Sequence, residues 1–286
     1  MTPSEPLRHC AVIGHPVAHS RSPQIHTAFA RQTGIALDYT RIDAEPEAFE
    51  AVVADFFANG GWGLNVTVPF KERAIQWAAH QASPRARLAG AANTLWCSQG
   101  APQACNTDGV GLLADLKRSL HWRDDLNILL IGAGGAARGA LMPLLDATTG
   151  ALRVCNRTPE RAHALVADAA YCAYGDRLDA TDFEHAARPG GWDIVINASA
   201  SSLSGAAPAV PSQLYAPDAL AYDMMYSAAP TPFMQQAYAD GAARAADGLS
   251  MLVSQAAESF FIWHGVRPDV LPVLDAIRRE MAEPAR

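Results

Sequence analysis

Asn127-Ile128-Leu129-Leu130-Ile131-Gly132-Ala133-Gly134-Gly135-Ala136-Ala137-Arg138-Gly139 is the stretch around which the chain is organised. The apolar run from Ile128 to Ile131 is too short for a helix and reads as a buried strand. Glycines follow at once, spaced G-x-G-x-x-A at 132, 134 and 137, and helix formers then lead to Leu141, Leu144 and Leu145. A strand that ends in a tight glycine turn and opens a helix aims several backbone N–H groups and the positive end of a helix dipole at one point. That point suits a pyrophosphate. The context predicts a Rossmann-type, doubly wound α/β domain that binds a dinucleotide.

The next strand, Leu152-Arg153-Val154-Cys155, ends in Asn156-Arg157-Thr158. NAD-binding domains usually place an acid there for the ribose hydroxyls, whereas an arginine accommodates the 2′-phosphate of NADP. No acid occurs between Leu152 and Pro159, and both Arg157 and Arg161 are within reach. The expected cofactor is therefore NADP.

At 286 residues, half of them hydrophobic and 18% charged, the chain can bury a sizeable core. Its net charge of −7 argues against a nucleic-acid or membrane-surface partner, so an anionic small substrate must be met by local basic residues. The cysteines at 10, 97, 105, 155 and 172 are odd in number and lack a C-x-x-C spacing, which fits reduced thiols in the cytoplasm. No apolar run approaches a membrane span, and Met1-Thr-Pro-Ser-Glu-Pro6 lacks the apolar segment of a secretory signal. His15 and His19 are four apart, but Pro16 makes a shared helix face unfavourable, and no metal is expected.

Cys10-Ala-Val-Ile13 reads as a strand closed by Gly14-His-Pro16. In Ser20-Arg21-Ser22-Pro23, Ser22 is expected to be the N-cap and Pro23 the first residue of a helix that buries Ile25, Ala28 and Phe29 and stops at Gly34. Ser20 has no cap to make and lies at the strand's carboxyl end, where open α/β sheets bind ligands. Leu37 to Asp43 is a second strand, and the stripe Phe49, Val52, Val53, Phe56, Phe57 is the core face of a helix ended by Asn59-Gly60-Gly61.

In Leu64-Asn65-Val66-Thr67-Val68-Pro69-Phe70-Lys71-Glu72 the alternation places Asn65 and Thr67 on one strand face. Pro69 is expected to start a helix, leaving Lys71 in its first turn. The positive helix end and partial desolvation would lower the lysine's pKa, which suits proton exchange near neutrality. A hairpin is expected where Ala91-to-Cys97 and Gln103-to-Cys105 bracket the turn Ser98-Gln99-Gly100. Asn106-Thr107-Asp108-Gly109 then precedes a helix with Val110, Leu113, Leu116 and Leu120, for which Asp108 is an N-cap candidate. Asp193–Ile196 and Leu220–Met224 read as further strands, ending near Asn197-Ala198-Ser199 and near Met225 and Tyr226, in the same crevice as Gly132. Ala246-Asp247-Gly248 is read as opening a long helix closed by Gly265, with Gln255 in its middle, and a last helix follows Pro272.

These motifs occur together in one order, from about Cys10 to Asp275, and in this the chain closely resembles shikimate dehydrogenases. The Asn65-Val-Thr67-Val-Pro-Phe-Lys71 and Asn106-Thr-Asp108-Gly motifs are the specific ones; the glycine turn is shared by many dehydrogenases. The resemblance implies reversible reduction of 3-dehydroshikimate to shikimate with NADPH, in aromatic amino acid biosynthesis. It implies two domains: a substrate domain over 1–108 completed by helices over 248–286, and a Rossmann NADP domain over 109–247. A monomer or homodimer with no nucleic-acid or membrane partner is expected. Ser20 and Ser22 would bind the substrate carboxylate, and Asn65, Thr67, Asn93, Gln255 and Tyr226 the rest of the substrate. Lys71 and Asp108 would be the catalytic pair. Gly132, Ala133, Gly134, Gly135, Ala136, Ala137 and Arg138, with Asn156, Arg157, Thr158 and Arg161, would contact NADP. Ala198, Ser199, Met224, Tyr226, Gly248 and Met251 would surround the nicotinamide.

Two places depart from the family's pattern. The segment Ala198-Ser199-Ala200-Ser201-Ser202-Leu203 delays the expected glycine to Gly205, and Ser250 stands where the family often has glycine. Competing readings are a relaxed quinate/shikimate dehydrogenase and a non-catalytic dinucleotide sensor; the presence of both Lys71 and Asp108 counts against the second.

Overall fold

The run Ile128–Ile131 is strand β6, and its alternate side chains enter two different cores. Ile128 and Leu130 pack with Leu112, Leu141 and Leu145 on one face, while Leu129 and Ile131 pack with Trp192, Val195 and Phe233 on the other. Burial on both faces is why this strand is uniformly apolar instead of alternating. The computed structural model describes residues 6–282 apart from 200 and 202–204. The chain divides into two compact units, Leu112–Leu252 and Met1–Gly111 with Val253–Arg286.

The 112–252 unit carries β6 and five more strands: β7 (Leu152–Cys155), β8 (Leu178–Thr181), β9 (Trp192–Asn197), β10 (Tyr215–Asp223) and β11 (Arg244–Asp247). Their order is β11-β10-β9-β6-β7-β8, with every neighbouring pair parallel. The chain leaves β6 towards one edge and returns beside it as β9, so the order reverses between those two strands. In a doubly wound sheet, that reversal is where ligands bind. The helices of this unit include α6 (Gly135–Ala147), α7 (Pro159–Val166) and α8 (Pro232–Ala239).

The edge strands β8 and β11 correct the sequence reading. Arg244-Ala-Ala-Asp247 has no strand-forming residue type, but pairing with Leu220–Asp223 imposes the extended form, so the long helix opens only at Leu249. The face expected for Leu113 and Leu120 also shifts: α5 (Asp108–Ser119) buries Leu112 and Leu116.

The other unit is built on a five-stranded sheet of order β2-β1-β3-β4-β5. Its strands are β1 (Arg8–Gly14), β2 (Leu37–Asp43), β3 (Gly61–Val66), β4 (Thr94–Ser98) and β5 (Ala101–Cys105). The first three run parallel, and β4 and β5 form the expected antiparallel hairpin. Its turn is Gln99-Gly100, both with positive φ, as a two-residue hairpin turn requires. Helices α1 (Ser22–Thr33), α2 (Phe49–Ala58), α3 (Lys71–Trp77) and α4 (Pro84–Ala89) lie between these strands in the chain. The chain leaves this unit within α5 and returns within α9 (Leu249–His264), before α10 (Leu271–Ala282). No helix among the described residues is long and apolar enough to cross a membrane. The five cysteines are free thiols.

His26 of α1 is wholly buried and stacks on Tyr39, with ring centroids 4.4 Å apart. Burial, helped by the nearby His264, pushes its pKa down from 6.5 to about 3. The folded form thus binds fewer protons than the unfolded chain below pH 6.5. The stabilising effect of a neutral His26 is complete above that pH and fades as pH falls towards 3. The slope is at most about 1.4 kcal/mol per pH unit. Urea unfolding of His26→Phe should therefore show a flatter acid limb than the parent between pH 6.5 and 4. Parallel curves would show that His26 contributes nothing to acid sensitivity.

Candidate active site

The hairpin explains how distant motifs meet. Thr94 is paired with Cys105, so the residue before β4 and the residues after β5 emerge at the same end of the sheet. Asn65 near the end of β3 pairs with Thr94, which brings in the segment leading to Lys71. Ala92 N–H donates to Lys71 O at 2.8 Å and Asn93 N–H to Cys105 O at 3.1 Å, pinning the three segments together.

At their meeting point Lys71 Nζ lies 2.6 Å from Asp108 Oδ2. The other carboxylate oxygen accepts from Asn93 Nδ2 at 2.8 Å. The lysine side chain is 31% exposed and the aspartate 16%, so the pair faces solvent from one side only. Asp108 is not a capping residue. It is the first residue of α5, and both carboxylate oxygens are directed to Lys71 and Asn93 instead of to the helix amides. Lys71 is the first residue of α3, but Pro69 does not start that helix. Pro69 lies inside a turn closed by Phe70 N–H to Thr67 O at 3.0 Å, preceded by a cis peptide bond. The same turn takes Thr67 beyond the end of β3, and among the described residues its hydroxyl has no hydrogen-bond partner.

Ser22 does not take the capping role read from the sequence. Arg21 adopts helical angles (φ −87°, ψ −2°) and is itself the N-cap, with no side-chain cap bond, so Ser22 is already helical. Its N–H donates to Ser20 Oγ at 3.3 Å, and the two hydroxyls lie 3.2 Å apart. Two adjacent hydroxyls at the carboxyl end of β1 form a small polar notch suited to a carboxylate.

A buried polar layer, absent from the sequence reading, supports these groups. Tyr39 donates to Asn65 Oδ1 at 2.7 Å, and Asn65 Nδ2 donates to Asn93 O and Ser259 Oγ, both at 3.1 Å. Ser259 Oγ is also 2.8 Å from Thr94 Oγ1. Gln255, one turn earlier on α9, has its Oε1 3.1 Å from Asn93 Nδ2 and 3.2 Å from Thr107 Oγ1. Asn65 and Asn93 are thus tied into the protein. No local pattern could have revealed the role of Ser259, whose side-chain partners Asn65 and Thr94 lie more than 150 residues away.

The approach of α9 depends on Gly111 in α5. A Cβ there would stand 2.7 Å from both the Cβ and the backbone N of Gln255. Gly111→Ala must displace that helix turn, at a cost of about 1–3 kcal/mol, and carry Gln255 with it. We expect a lower Tm together with a several-fold higher substrate KM; a lower Tm with unchanged KM would remove Gln255 from the substrate site.

In the other unit, the glycine turn fits a pyrophosphate. Gly132 has φ +110°, and a Cβ on it would lie 3.1 Å from the Ala198 and Ser199 backbone, across the β6/β9 reversal. A Cβ on Gly134 or Gly135 would meet nothing within 4 Å, and α6 starts with neither a side-chain cap nor an acidic first turn. The N-terminal amides of α6 therefore front open space and favour an anion. Arg157 and Arg161, flanking the start of α7, are exposed and make no ion pair among the described residues.

The rims of this site are fixed from within. Asn197 accepts from Ser199 Oγ at 2.6 Å and donates to the buried Asp223 at 3.2 Å, and Asp223 also accepts from Thr231 at 2.6 Å. Met224 and Tyr226 lie in the loop beyond β10, with Gly248 N–H donating to Met225 O at 2.9 Å. Met251 is buried in the core. Ser250 accepts a short hydrogen bond from Arg118, which is also 2.8 Å from Asp115. Its hydroxyl is thereby engaged within this unit. Of the altered 198–205 segment, residues 200 and 202–204 lie outside the described residues.

Comparison with known proteins points to one family. The family model "Shikimate dehydrogenase substrate binding domain" matches residues 12–95, and "Shikimate 5'-dehydrogenase C-terminal domain" matches 248–278. A relative named shikimate dehydrogenase (NADP(+)), from Bordetella petrii, is 58% identical, covering 97% of this chain and 98% of its own. Among solved structures, an Ael1 enzyme from Pseudomonas putida superposes with a TM-score of 0.87 at 41% identity, covering 97% and 99% of the two chains. Shikimate 5-dehydrogenase of Thermus thermophilus, in complex with NADP(H) and shikimate, gives 0.81 at 33% identity, covering 96% and 99%.

Proposed function

The chain belongs to the shikimate dehydrogenase family, and we propose that it uses Lys71 and Asp108 as a proton-transfer pair in the reversible, NADP-dependent interconversion of 3-dehydroshikimate and shikimate. The observation that carries this reading is the Lys71–Asp108 contact of 2.6 Å, with Asn93 holding the second carboxylate oxygen.

Hydride transfer to a ketone leaves negative charge on its oxygen, which must gain a proton in the same turnover. The bound cofactor supplies or receives the hydride; the protein manages the proton. Lys71 has one carboxylate partner among the described residues, which leaves ammonium N–H groups for the substrate oxygen. Asp108 fixes the direction of the lysine and accepts from the substrate hydroxyl in the reverse reaction. Ser20 and Ser22 hold the carboxylate pole, Thr67 offers a free hydroxyl, and Gln255 completes the ring-hydroxyl contacts. Gly132 to Arg138 cradle the pyrophosphate, Arg157 and Arg161 the 2′-phosphate, and the loops at Ala198–Ser199, Met224–Tyr226 and Gly248 the nicotinamide end. The thiols and the biosynthetic substrate fit a cytoplasmic enzyme of aromatic amino acid synthesis.

Purified protein assayed by nicotinamide absorbance with shikimate and quinate, each with NADP and NAD, tests the reading. Shikimate with NADP should be turned over best. Faster turnover of quinate, or none of shikimate, would overturn it. Within the same assay, Ser20→Ala should raise the shikimate KM with kcat and Tm near the parent values; an unchanged KM would move the carboxylate elsewhere.

A further inference from the structure

The substrate's carboxylate is assigned to two neutral hydroxyls on a protein of net charge −7. Hydroxyls can hold a carboxylate but do not attract it from solution. Five cations of this unit are paired with acids: Lys71 with Asp108, Arg21 with Glu280, Arg73 with Glu50, and both Arg85 and Arg267 with Glu258. Arg41 on β2 is different. Its Nε and Nη2 both donate to the backbone carbonyl of Ser20, at 3.1 and 2.6 Å, and among the described residues no carboxylate lies within ion-pairing distance of it. Asp43, two residues on along the same strand face, is hydrogen-bonded to His15 at 2.9 Å. A guanidinium is therefore anchored on the backbone of Ser20, beside the Ser20–Ser22 hydroxyl pair, and among the described residues it has no ion-pair partner and no hydrogen bond from Nη1.

We propose that Arg41 is the specificity-determining cation of the substrate's carboxylate pole: it fixes the Ser20 backbone and supplies the positive charge that draws a carboxylate-bearing substrate to the two hydroxyls. The inference rests on the substrate reading given above. It separates two roles, because a clamp acts on any substrate whereas a charge acts only on an anionic one, and only while salt does not screen it.

The test compares the parent enzyme with Arg41→Gln, Arg41→Lys and Ser20→Ala, using shikimate and its uncharged methyl ester at ionic strengths from about 10 to 300 mM. For Arg41→Gln we expect the shikimate KM to rise about tenfold, the worth of one charge-assisted contact, with kcat within about twofold. Its kcat/KM should lose most of the parent's fall with salt, while kcat/KM for the ester falls several-fold less than that for shikimate, since the ester loses only the clamp. Arg41→Lys should keep the salt dependence, and so should Ser20→Ala, despite its raised KM. Equal losses for shikimate and ester, with the salt dependence intact, would reduce Arg41 to a loop clamp and overturn the inference. So would a shikimate KM that Arg41→Gln leaves unchanged. Failure of the parent enzyme itself to turn over shikimate would remove the substrate reading, and this inference with it.

Discussion

Lys71→Ala is expected to lower kcat by on the order of 10²–10⁴ while leaving NADP binding near the parent value. The size follows from its position. Lys71 Nζ is held 2.6 Å from a carboxylate whose other oxygen is fixed by Asn93, so the proposed proton donor is already oriented before substrate arrives. Removing the amine leaves the substrate oxygen to exchange its proton with water. Asp108→Ala should also lower kcat, because the lysine then loses the group that aims it. The double variant should lose far less than the product of the single losses, as residues acting as one unit do. Measured kcat and KM for both substrates decide the matter. Full kcat with a raised KM in Lys71→Ala would make the lysine a binding residue and leave proton transfer to another group.

The parts of this site that were legible in the sequence are those set by local rules. A strand of four apolar residues running into glycines has few alternatives. The hairpin follows from its turn residues, and it brings Asn93 and Asp108 to one end of its own sheet. Roles that depend on a single backbone torsion were not legible. Whether Ser22 caps α1 or begins it turns on the helical angles of Arg21, and the sequence Ser-Arg-Ser-Pro permits both. Nor could periodicity reveal the layer beneath the site. Tyr39, Asn65, Thr94 and Ser259 come from β2, β3, β4 and α9, and each is an ordinary polar residue in its own segment. They become a network only because α9, from Val253 onward, packs in the same unit as residues 1–111. The strand Arg244–Asp247 was missed for a related reason, since pairing with β10 overrides an alanine-rich stretch that prefers helix.

Cofactor choice is where sequence and geometry give the sharpest discrimination. Arg157→Gln should weaken NADP by roughly ten- to a hundredfold and leave NAD almost unchanged. Arg157 follows β7 at the position where an acid would read an NAD ribose, and its side chain is exposed and unpaired among the described residues. It therefore has no visible structural duty whose loss would affect both cofactors. One charge-assisted hydrogen bond to a phosphate is worth about 1.5–3 kcal/mol, which sets the range. Arg161, in the first turn of α7, is proposed to share the phosphate, so Arg161→Gln should give a smaller shift of the same sign. The double variant should approach equal use of the two cofactors. Dissociation constants from fluorescence titration with NADP and NAD measure this directly. Equal weakening of both by Arg157→Gln would assign the arginine to the fold of the β7–α7 turn, and the preference for NADP would then have to come from Arg161 or from the Asn156–Thr158 backbone.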